Sequence, residues 1–257
     1  MTSISEKFVL LKKAKLVFEN WITYPLSYYN FIRDDFIFFK TRSKKIIKLR
    51  KQSTDLMALT HVWLIEEYKK ENFEIKPNDI VIDIGAHIGL FTIYASQFCT
   101  KGKIYSFEPV TENYELLLEN IKLNNLDYVT SFNQAVSNSN EPIKLFLNND
   151  ESGHSMFSKS SKSVIIDSIS LQKFFDENQI KHCNFLKLDC EGAEYEIIKN
   201  LPLEYFQKID KLVIEYHMAD SHPEFLIELK EILSQQNFVI ETKKLFSDIG
   251  FLYAKKI

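Results

Sequence analysis

The segment IVIDIGAHIGLFTIYAS, residues 80 to 96, contains a turn whose residue types indicate a binding site. A buried apolar run ends near Asp83, a bend runs from Gly85 to Gly89, and a helical pattern follows. A dinucleotide site would have a glycine in the middle of this bend, because the pyrophosphate must approach the backbone closely. His87 stands at that position. The turn therefore departs from the dinucleotide pattern.

The acids near this turn favour a different adenosyl ligand. A carboxylate at Asp83 would repel a pyrophosphate and attract an ammonium group at close range. A second apolar strand ends at Glu108, 23 residues after Gly85, close to the spacing of about 20 at which an acid reaches ribose hydroxyls. Enzymes that bind NAD also have this acid, so Glu108 alone does not distinguish NAD from another adenosyl ligand. Together these residues predict S-adenosylmethionine, an adenosyl compound that carries an amino acid and no phosphate.

A second group of ionisable residues lies in LKLDCEGAE, at the end of a later apolar strand. Glu194 falls in the first turn of the following helix, where an acid interacts favourably with the helix dipole. Asp189 and Glu191 would repel each other and need a compensating cation. Lys187, inside the apolar strand, is a candidate, because an unpaired buried ammonium is costly. The alternative is that Lys187 extends into solvent from the strand end.

The elements that must position these residues alternate between strands and helices from residue 79 onwards. Apolar strands separated by helices predict a doubly wound parallel sheet with helices on both faces. The last two strands, FVIETK and FLYAKK, leave no room for a helix between them, which predicts an antiparallel hairpin at one edge. We therefore expect an α/β, Rossmann-like, mostly parallel seven-stranded sheet over residues 76 to 257.

Residues 1 to 75 form a predicted N-terminal accessory segment of helices and a hairpin. ENWITYPLSYYNFIRDDFIFFK is dense in aromatic residues, and KTRSKKIIKLRK is dense in positive charge. Two interpretations are open: a cap packed on the main domain with its lysines facing solvent, or a surface for a membrane or a glycolipid.

Composition and charge narrow the class of protein. The 257 residues are 45% hydrophobic and 26% charged, as in ordinary globular proteins, and one domain with an appendage fits this length. A formal net charge of −3 gives no reason to expect a nucleic acid partner. Cys99, Cys183 and Cys190 have no CxxC spacing, which indicates reduced thiols and no zinc site. Without a signal peptide or a spanning segment in the sequence, the expected location is the cytoplasm, with peripheral membrane contact as the open alternative.

Several motifs occur in the order of a known family: VIDIGAHIGLFTIYAS, IYSFEPVTENYELLLENIKLN, NQAVSN, FLKLDCEGAEYEIIKN and LVIEYH. They resemble the FkbM family of class I S-adenosylmethionine-dependent methyltransferases over about residues 54 to 217. KLDCEGAE followed by EYH is the more family-specific part, whereas DIGAHIG alone marks the broader superfamily. Residues 1 to 53 have no counterpart in the resemblance.

The resemblance implies roles for individual residues. The methionine end of the cofactor would be lined by Asp83, Gly85, Ala86, His87 and Gly89. Glu108 would bind the ribose, Pro109 would shape the turn behind it, and Gln134 and Ala135 would border the adenine. His87 stands where the family often has asparagine, so a contact through its backbone is as open as one through its ring. GHSMF resembles the family's Gly-x-Ser segment and implies that Ser155 lies near the site, with a solvent loop as the alternative.

Methyl transfer requires alignment of the acceptor, carbon and sulfur atoms within about 3–3.5 Å of attack distance, and a sugar hydroxyl also gains from a general base. The candidate catalytic residues are Asp189, Glu191, Glu215 and His217. Glu215 and His217 project to the same side of an extended strand, so the acid could orient or charge the imidazole. Our hypothesis is that His217 or Glu191 accepts the proton while Asp189, also a cofactor contact, positions donor and acceptor. The spacing of these four residues fits no compact metal motif, so we assign no metal ligand, although together they could hold a divalent ion.

Two other functions compete with an O-methyltransferase that acts on a sugar, a glycan or a related small molecule. An NAD(P)-dependent oxidoreductase is disfavoured by Asp83 and by the missing glycine. A non-catalytic binding module that keeps the cofactor fold is also open. The fold does not identify the acceptor, and the sequence does not indicate an oligomeric state.

Overall fold

The computed structural model describes residues 4 to 146 and 163 to 257. The N-terminal part contains α1 (Ile4–Val17), α2 (Thr23–Tyr28), β1 (Phe36–Lys40), β2 (Ile46–Arg50), α3 (Asp55–Leu59) and a π-helical turn at Thr60–Ile65. The middle part contains β3 (Ile80–Ile84), α4 (Leu90–Ala95), β4 (Lys103–Phe107), α5 (Thr111–Leu123), β5 (Val129–Phe132), β6 (Ala135–Ser137) and β7 (Ile143–Phe146). The last part contains β8 (Ser163–Ile166), β9 (Ser168–Ser170), α6 (Leu171–Glu177), β10 (Phe185–Leu188), α7 (Glu194–Lys199), α8 (Leu203–Phe206), β11 (Lys211–Tyr216), α9 (Pro223–Gln235), β12 (Phe238–Lys244) and β13 (Gly250–Lys256).

The main sheet has seven strands in the order β12-β13-β11-β10-β3-β4-β5. The strands from β11 to β5 pair in parallel, and β13 pairs antiparallel with both β11 and β12. This confirms the predicted mostly parallel sheet with an antiparallel edge hairpin. The chain moves outward from β3 to β5 and then returns to β10 on the other side of β3. The carboxyl ends of β3 and β10 therefore meet where the strand order reverses, which is where ligands bind in such sheets.

The central strands are buried because helices cover both faces of the sheet. All four residues of β10 are buried, which accounts for its almost continuous apolar run. On one face, Phe107 packs edge-to-face on Phe174 with their ring centroids 4.8 Å apart. On the other face, Phe18 and Phe39 of the N-terminal segment belong to the same buried cluster as Phe91 of α4. The N-terminal segment thus shares a core with the sheet, while a domain boundary at residues 75/76 stays a prediction.

The N-terminal hairpin β1–β2 is attached to α5 by side-chain amides. Asn120 accepts a hydrogen bond from the Lys48 amide (2.7 Å) and donates one to the Lys48 carbonyl (3.1 Å). Asn124 pairs with the amide and carbonyl of Ile46 in the same way (2.8 and 2.6 Å). Residues four apart on a helix face the same side, so these two amides take the place of a neighbouring strand along the edge of β2.

Two parts of the chain differ from, or lie beyond, the sequence-based prediction. The predicted third strand, YVTSFNQAV, divides into β5, which stays in the main sheet, and β6, which pairs in parallel with β9. Ser155 lies outside the described residues, so its predicted place near the site stays a prediction. Among the helices that the structure describes, none has the length and apolar character to cross a membrane.

Candidate functional site

A cleft of about 450 Å³ opens at the carboxyl ends of the central strands. This volume lies within the roughly 300–1,000 Å³ of small-molecule sites. The sequence-predicted residues in its wall are Gly85, His87, Glu108, Pro109, Gln134, Ala135, Asp189, Glu191, Glu215 and His217. Three other predicted residues, Asp83, Ala86 and Gly89, do not line the cleft.

The turn after β3 depends on glycine because another strand lies against it. Gly85 has φ +75, and a Cβ there would lie 1.8 Å from the carbonyl oxygen of Asp189. The amides of Gly85 and Ala86 both donate to the carbonyl of Phe107, at 3.0 and 2.8 Å. The turn is therefore wedged between the ends of β4 and β10, and a side chain at residue 85 would push them apart. His87 also has a positive φ, 51°, a conformation that histidine and asparagine adopt more often than most residues.

Glu108 directly follows β4 and faces the turn. Its carboxylate accepts hydrogen bonds from the amides of His87 (2.8 Å) and Val110 (3.0 Å). Burial raises the pKa of Glu108 to about 7, although these hydrogen bonds act in the opposite direction. The residue lies in the cleft wall, and its contact with ribose hydroxyls stays a prediction.

Asp83, predicted to lie at the methionine end of the cofactor, does not line the cleft. Its side chain is 0% exposed and lies behind the turn. One carboxylate oxygen lies 3.1 Å from the ammonium of Lys187, and the other accepts a hydrogen bond from Thr92 at 2.7 Å. Its charge is thus compensated inside the protein. The carboxylate of Asp83 thus pairs with Lys187, and its predicted attraction for a ligand ammonium stays a prediction.

Lys187 is the buried cation of the site. Its ammonium donates to the carbonyl of Gly85 (2.6 Å) and lies 3.5 Å from the carboxylate of Asp189. Burial by itself would lower the pKa of Lys187, but the carboxylates of Asp83 and Asp189 outweigh burial and raise it. The side chain is 4% exposed, so the alternative of a lysine extending into solvent is wrong.

His217 is held from behind by a buried acid. Glu194, which is 0% exposed, accepts from the backbone amide of His217 at 2.9 Å, and its carboxylate lies 3.1 Å from Nδ1 of the ring. On the other side of the ring, Nε2 lies 3.6 Å from the carboxylate of Glu191. Burial alone would lower the pKa of His217, but the charge of Glu194, followed by that of Glu191, raises it to about 10.

Glu194 therefore does more than interact with the helix dipole, and it takes the orienting role that the sequence assigned to Glu215. Glu215 instead shares Tyr68 with Asp189. The hydroxyl of Tyr68 lies 3.2 Å from Asp189 Oδ2 and 3.4 Å from Glu215 Oε2. Burial, and then the charge of Asp189, raises the pKa of Glu215 well above its ordinary value.

The structure brings Asp189, Glu215 and His217 together, with one donor atom of each within 4.8 Å of the others. Sequence spacing did not assign a metal site here. The residue types suit a divalent ion, yet the ammonium of Lys187 already supplies positive charge 3.5 Å from Asp189. We therefore still assign no metal ligand, and a divalent ion held by these residues stays an open alternative.

The sequence analysis missed two contributors, Tyr68 and Arg50, and the partner of a third, Glu194. Tyr68 follows an apolar helical run, and nothing in its spacing signals an active-site contact. Arg50 ends β2 and places its guanidinium 3.2 Å from Nε2 of His87. Burial lowers the pKa of His87 to about 4, so the ring is neutral near pH 7. Glu194 was noticed for its place in the helix, but its partner lies 23 residues further along the chain and is identified only by the pairing of β10 with β11.

Comparisons with known proteins identify one matching family model and several methyltransferases. A family model described as the methyltransferase FkbM domain matches residues 83 to 240. "Methyltransferase 1" of Beauveria bassiana is 26% identical over 172 residues, which cover 58% of this chain and 68% of that protein. "Hexuronic acid methyltransferase AglP" of Haloferax volcanii is 22% identical over 169 residues, which cover 63% and 69%.

A solved structure shares the fold. The crystal structure of methyltransferase FkbM from Methylobacillus flagellatus superposes with a TM-score of 0.50 and 17% identity. The match covers 77% of this chain and 53% of that one.

Proposed function

The chain belongs to the FkbM family of methyltransferases, and from this premise we propose that it transfers the methyl group of S-adenosylmethionine to a hydroxyl of a sugar, a glycan or a related small molecule. The observation that carries the proposal is the meeting of two sets of groups in one cleft. The glycine turn and Glu108 form one side, and the paired His217 and Glu191 form the other.

The residues present suit this cofactor. When bound, S-adenosylmethionine would supply an electrophilic methyl group. Glu108, in the cleft wall, would accept hydrogen bonds from the ribose hydroxyls. Val110, Ala135 and Val136 offer an apolar wall for an adenine beyond the ribose. Asp189, whose side chain is 25% exposed in the cleft wall, would receive the ammonium end in place of the fully buried Asp83.

His217 is the group best arranged to move the acceptor's proton. Glu194 holds its Nδ1, which leaves Nε2 directed towards Glu191 and the cleft. Nε2 can accept a proton from an acceptor hydroxyl only when the imidazole is neutral. The raised pKa of His217, about 10, makes it a strong base that is present in its neutral form in a minor fraction near pH 7. Glu191 can orient the hydroxyl and share the proton.

A sugar as the acceptor class is supported by one relative, which is named for the methylation of a hexuronic acid. A hexuronic acid offers both hydroxyl and carboxylate groups. A hydroxyl needs a base and a carboxylate does not, so the His217–Glu194 pair favours the hydroxyl.

The test incubates the full chain with S-adenosylmethionine and a panel of nucleotide sugars, oligosaccharides and lipid extracts. We expect acceptor-dependent release of S-adenosylhomocysteine and a methylated product that resists mild alkali, as an ether does and an ester does not. Glu191→Gln and His217→Gln should lower turnover far more than cofactor affinity.

Two outcomes would contradict the proposal. Saturable binding of NAD without binding of S-adenosylmethionine would favour an oxidoreductase. Cofactor binding without turnover on any acceptor would favour a non-catalytic binding module. Turnover unchanged in both variants would contradict the roles assigned to Glu191 and His217.

A further inference from the structure

Exposed apolar side chains are concentrated in the N-terminal segment. Of the 22 large apolar residues that are exposed in the described parts of the chain, ten lie between residues 8 and 38. They are Phe8, Val9, Leu16, Ile22, Leu26, Tyr28, Tyr29, Phe31, Phe36 and Phe38. Single exposed apolar residues are common, but a concentration of this kind marks an interaction surface.

Some of these residues form a continuous aromatic patch, which we define as Tyr28, Tyr29 and Phe31. The ring centroids of Tyr28 and Tyr29 are 5.1 Å apart, and those of Tyr29 and Phe31 are 6.4 Å apart. The ammonium of Lys7, on α1, lies 5.1 Å from the ring centroid of Tyr28. Lys12 and Lys15 of α1 likewise lie over the rings of Phe8 and Trp21. Three lysines of α1 therefore lie close to aromatic rings of this surface, and the rings of Tyr28 and Phe8 are exposed.

The charge of the chain is divided unevenly. Residues 1 to 51 contain twelve basic and four acidic residues, whereas residues 52 to 257 contain twenty and thirty-one. The net charge of −3 thus conceals a strongly basic segment on an acidic body. An anionic surface would attract the segment and repel the rest of the molecule, which orients the protein.

Helix α1 packs on the core through one side, which includes Leu10, Ala14 and Val17, and its other sides are exposed. Ala14 is the one residue of α1 whose side chain is described as buried, and residues 5 to 9 are all exposed. An isolated helix of 14 residues is marginal in water. A further surface that covers Phe8, Val9 and Leu16 would stabilise it.

We propose that this N-terminal surface docks the protein on an anionic lipid bilayer. Aromatic rings and lysines with long apolar stems are the side chains that insert at the boundary between head groups and acyl chains. Each basic residue near such a surface adds attraction that salt weakens. Single-stranded RNA would also use rings and positive charge, but it stacks bases on aromatic residues. The aliphatic Val9, Leu16 and Ile22 fit a bilayer better.

The segment is connected to the cleft, so docking would hold the site beside the bilayer. β2 ends at Arg50, whose guanidinium contacts His87 of the turn. Asp55 accepts from Arg50 at 2.8 Å and lies 3.5 Å from His87.

The test measures flotation of the full chain with vesicles of phosphatidylcholine and with vesicles that also contain phosphatidylglycerol. We expect binding to the anionic vesicles that falls steeply as salt rises, and at least tenfold weaker binding to the neutral ones. The triple variant Tyr28→Ser, Tyr29→Ser, Phe31→Ser and the triple variant Lys12→Gln, Lys13→Gln, Lys15→Gln should each lose at least tenfold in binding.

Matched controls change the same numbers of exposed residues elsewhere. Leu203→Ser, Ile227→Ser and Val239→Ser replace apolar residues, and Lys181→Gln, Lys243→Gln and Lys255→Gln replace lysines. Both control variants should bind anionic vesicles like the unaltered chain. Unfolding temperatures are compared so that a variant that loses its fold is not mistaken for one that loses docking.

A second readout keeps the proposal testable if the patch variants fail to fold. The two tryptophans are Trp21, in the segment, and Trp63, in the core. In a Trp63→Phe chain, lipids brominated on their acyl chains should quench Trp21. No quenching, equal binding to neutral vesicles, or equal losses in the controls would overturn the proposal. So would a dimer in solution that the aromatic-patch variant dissociates, or binding to an RNA oligonucleotide without vesicle binding.

Discussion

Lys187 connects the fold of the site to its chemistry. The lysine compensates Asp83 in the interior, lies beside Asp189 in the cleft and binds the carbonyl of Gly85. A buried ion pair adds little net stability, but removal of one partner leaves the other charge uncompensated.

We therefore expect Lys187→Met to destabilise the chain by about 3–5 kcal/mol in chemical denaturation. Lys187→Met combined with Asp83→Asn should recover part of that loss, because no buried charge is then left unpaired behind the turn. Lys181→Met, on the exposed surface, serves as the control and should change stability little. If the single and double variants lose the same free energy, the two side chains are not coupled as the geometry indicates.

The pair formed by Glu194 and His217 predicts the pH dependence of turnover. Glu194 stabilises the imidazolium and raises the pKa of His217 to about 10, so the rate should rise with pH towards that value. In Glu194→Gln this support is lost and the pKa of His217 falls. The acid limb of kcat/KM should then move to lower pH, with a lower maximum rate because the ring is less well held. An unmoved acid limb would mean that His217 is not the base.

Glu108 predicts a pH dependence of cofactor binding. Its pKa, about 7, is raised above the ordinary value, so its carboxyl group is largely protonated at pH 6. In the proposed complex the ribose hydroxyls donate to the ionised form, so affinity for S-adenosylhomocysteine should increase about tenfold from pH 6 to pH 8. Calorimetric titrations of Glu108→Gln should show weaker binding without this increase. Any pH dependence of affinity that the variant retains is due to titration of the ligand. Equal pH dependence in both chains would contradict the assignment.

At the scale of elements, the docking of β1–β2 on α5 depends on two amides. Asn120 and Asn124 each bond the amide and the carbonyl of one β2 residue. Replacement of both by alanine leaves four backbone groups without these partners, at roughly 1 kcal/mol for each lost bond.

Hydrogen exchange in residues 36 to 50 should consequently accelerate in Asn120→Ala, Asn124→Ala. Cofactor affinity should also fall, because Arg50 at the end of β2 contacts His87. Lys122→Ala changes an exposed residue of the same helix and should leave exchange in the hairpin unchanged. Exchange that stays slow in the double variant would show that the apolar packing of Phe39 and Leu49 holds the hairpin without the amides.

The elements were largely predictable, and their side-chain partners were not. Apolar runs such as FLKL, separated by helical patterns, fix the parallel sheet because each strand is buried on both faces. Strand ends then bring Gly85, Glu108 and Asp189 to one edge. Which cation compensates Asp83, and which acid holds His217, depends on side chains that approach across strand pairs. The spacing of residues in the sequence does not predict which side chains meet across a strand pair.

At the scale of the whole molecule, acidic and basic residues are concentrated in different parts of the chain. An acidic body contains the site, and a basic, aromatic segment lies on the face of the sheet that carries α4. The family assignment rests on residues 83 to 240, whereas the segment lies outside that match. The proposed methyl transfer and the proposed membrane docking would thus depend on different parts of one folded unit.

The central claim is that the cleft binds S-adenosylmethionine, and calorimetric titration of the purified chain tests it most directly. Titration with S-adenosylmethionine should give saturable one-to-one binding that Glu108→Gln weakens, and titration with NAD should give none. Saturation by NAD, with no heat from S-adenosylmethionine, would contradict the claim.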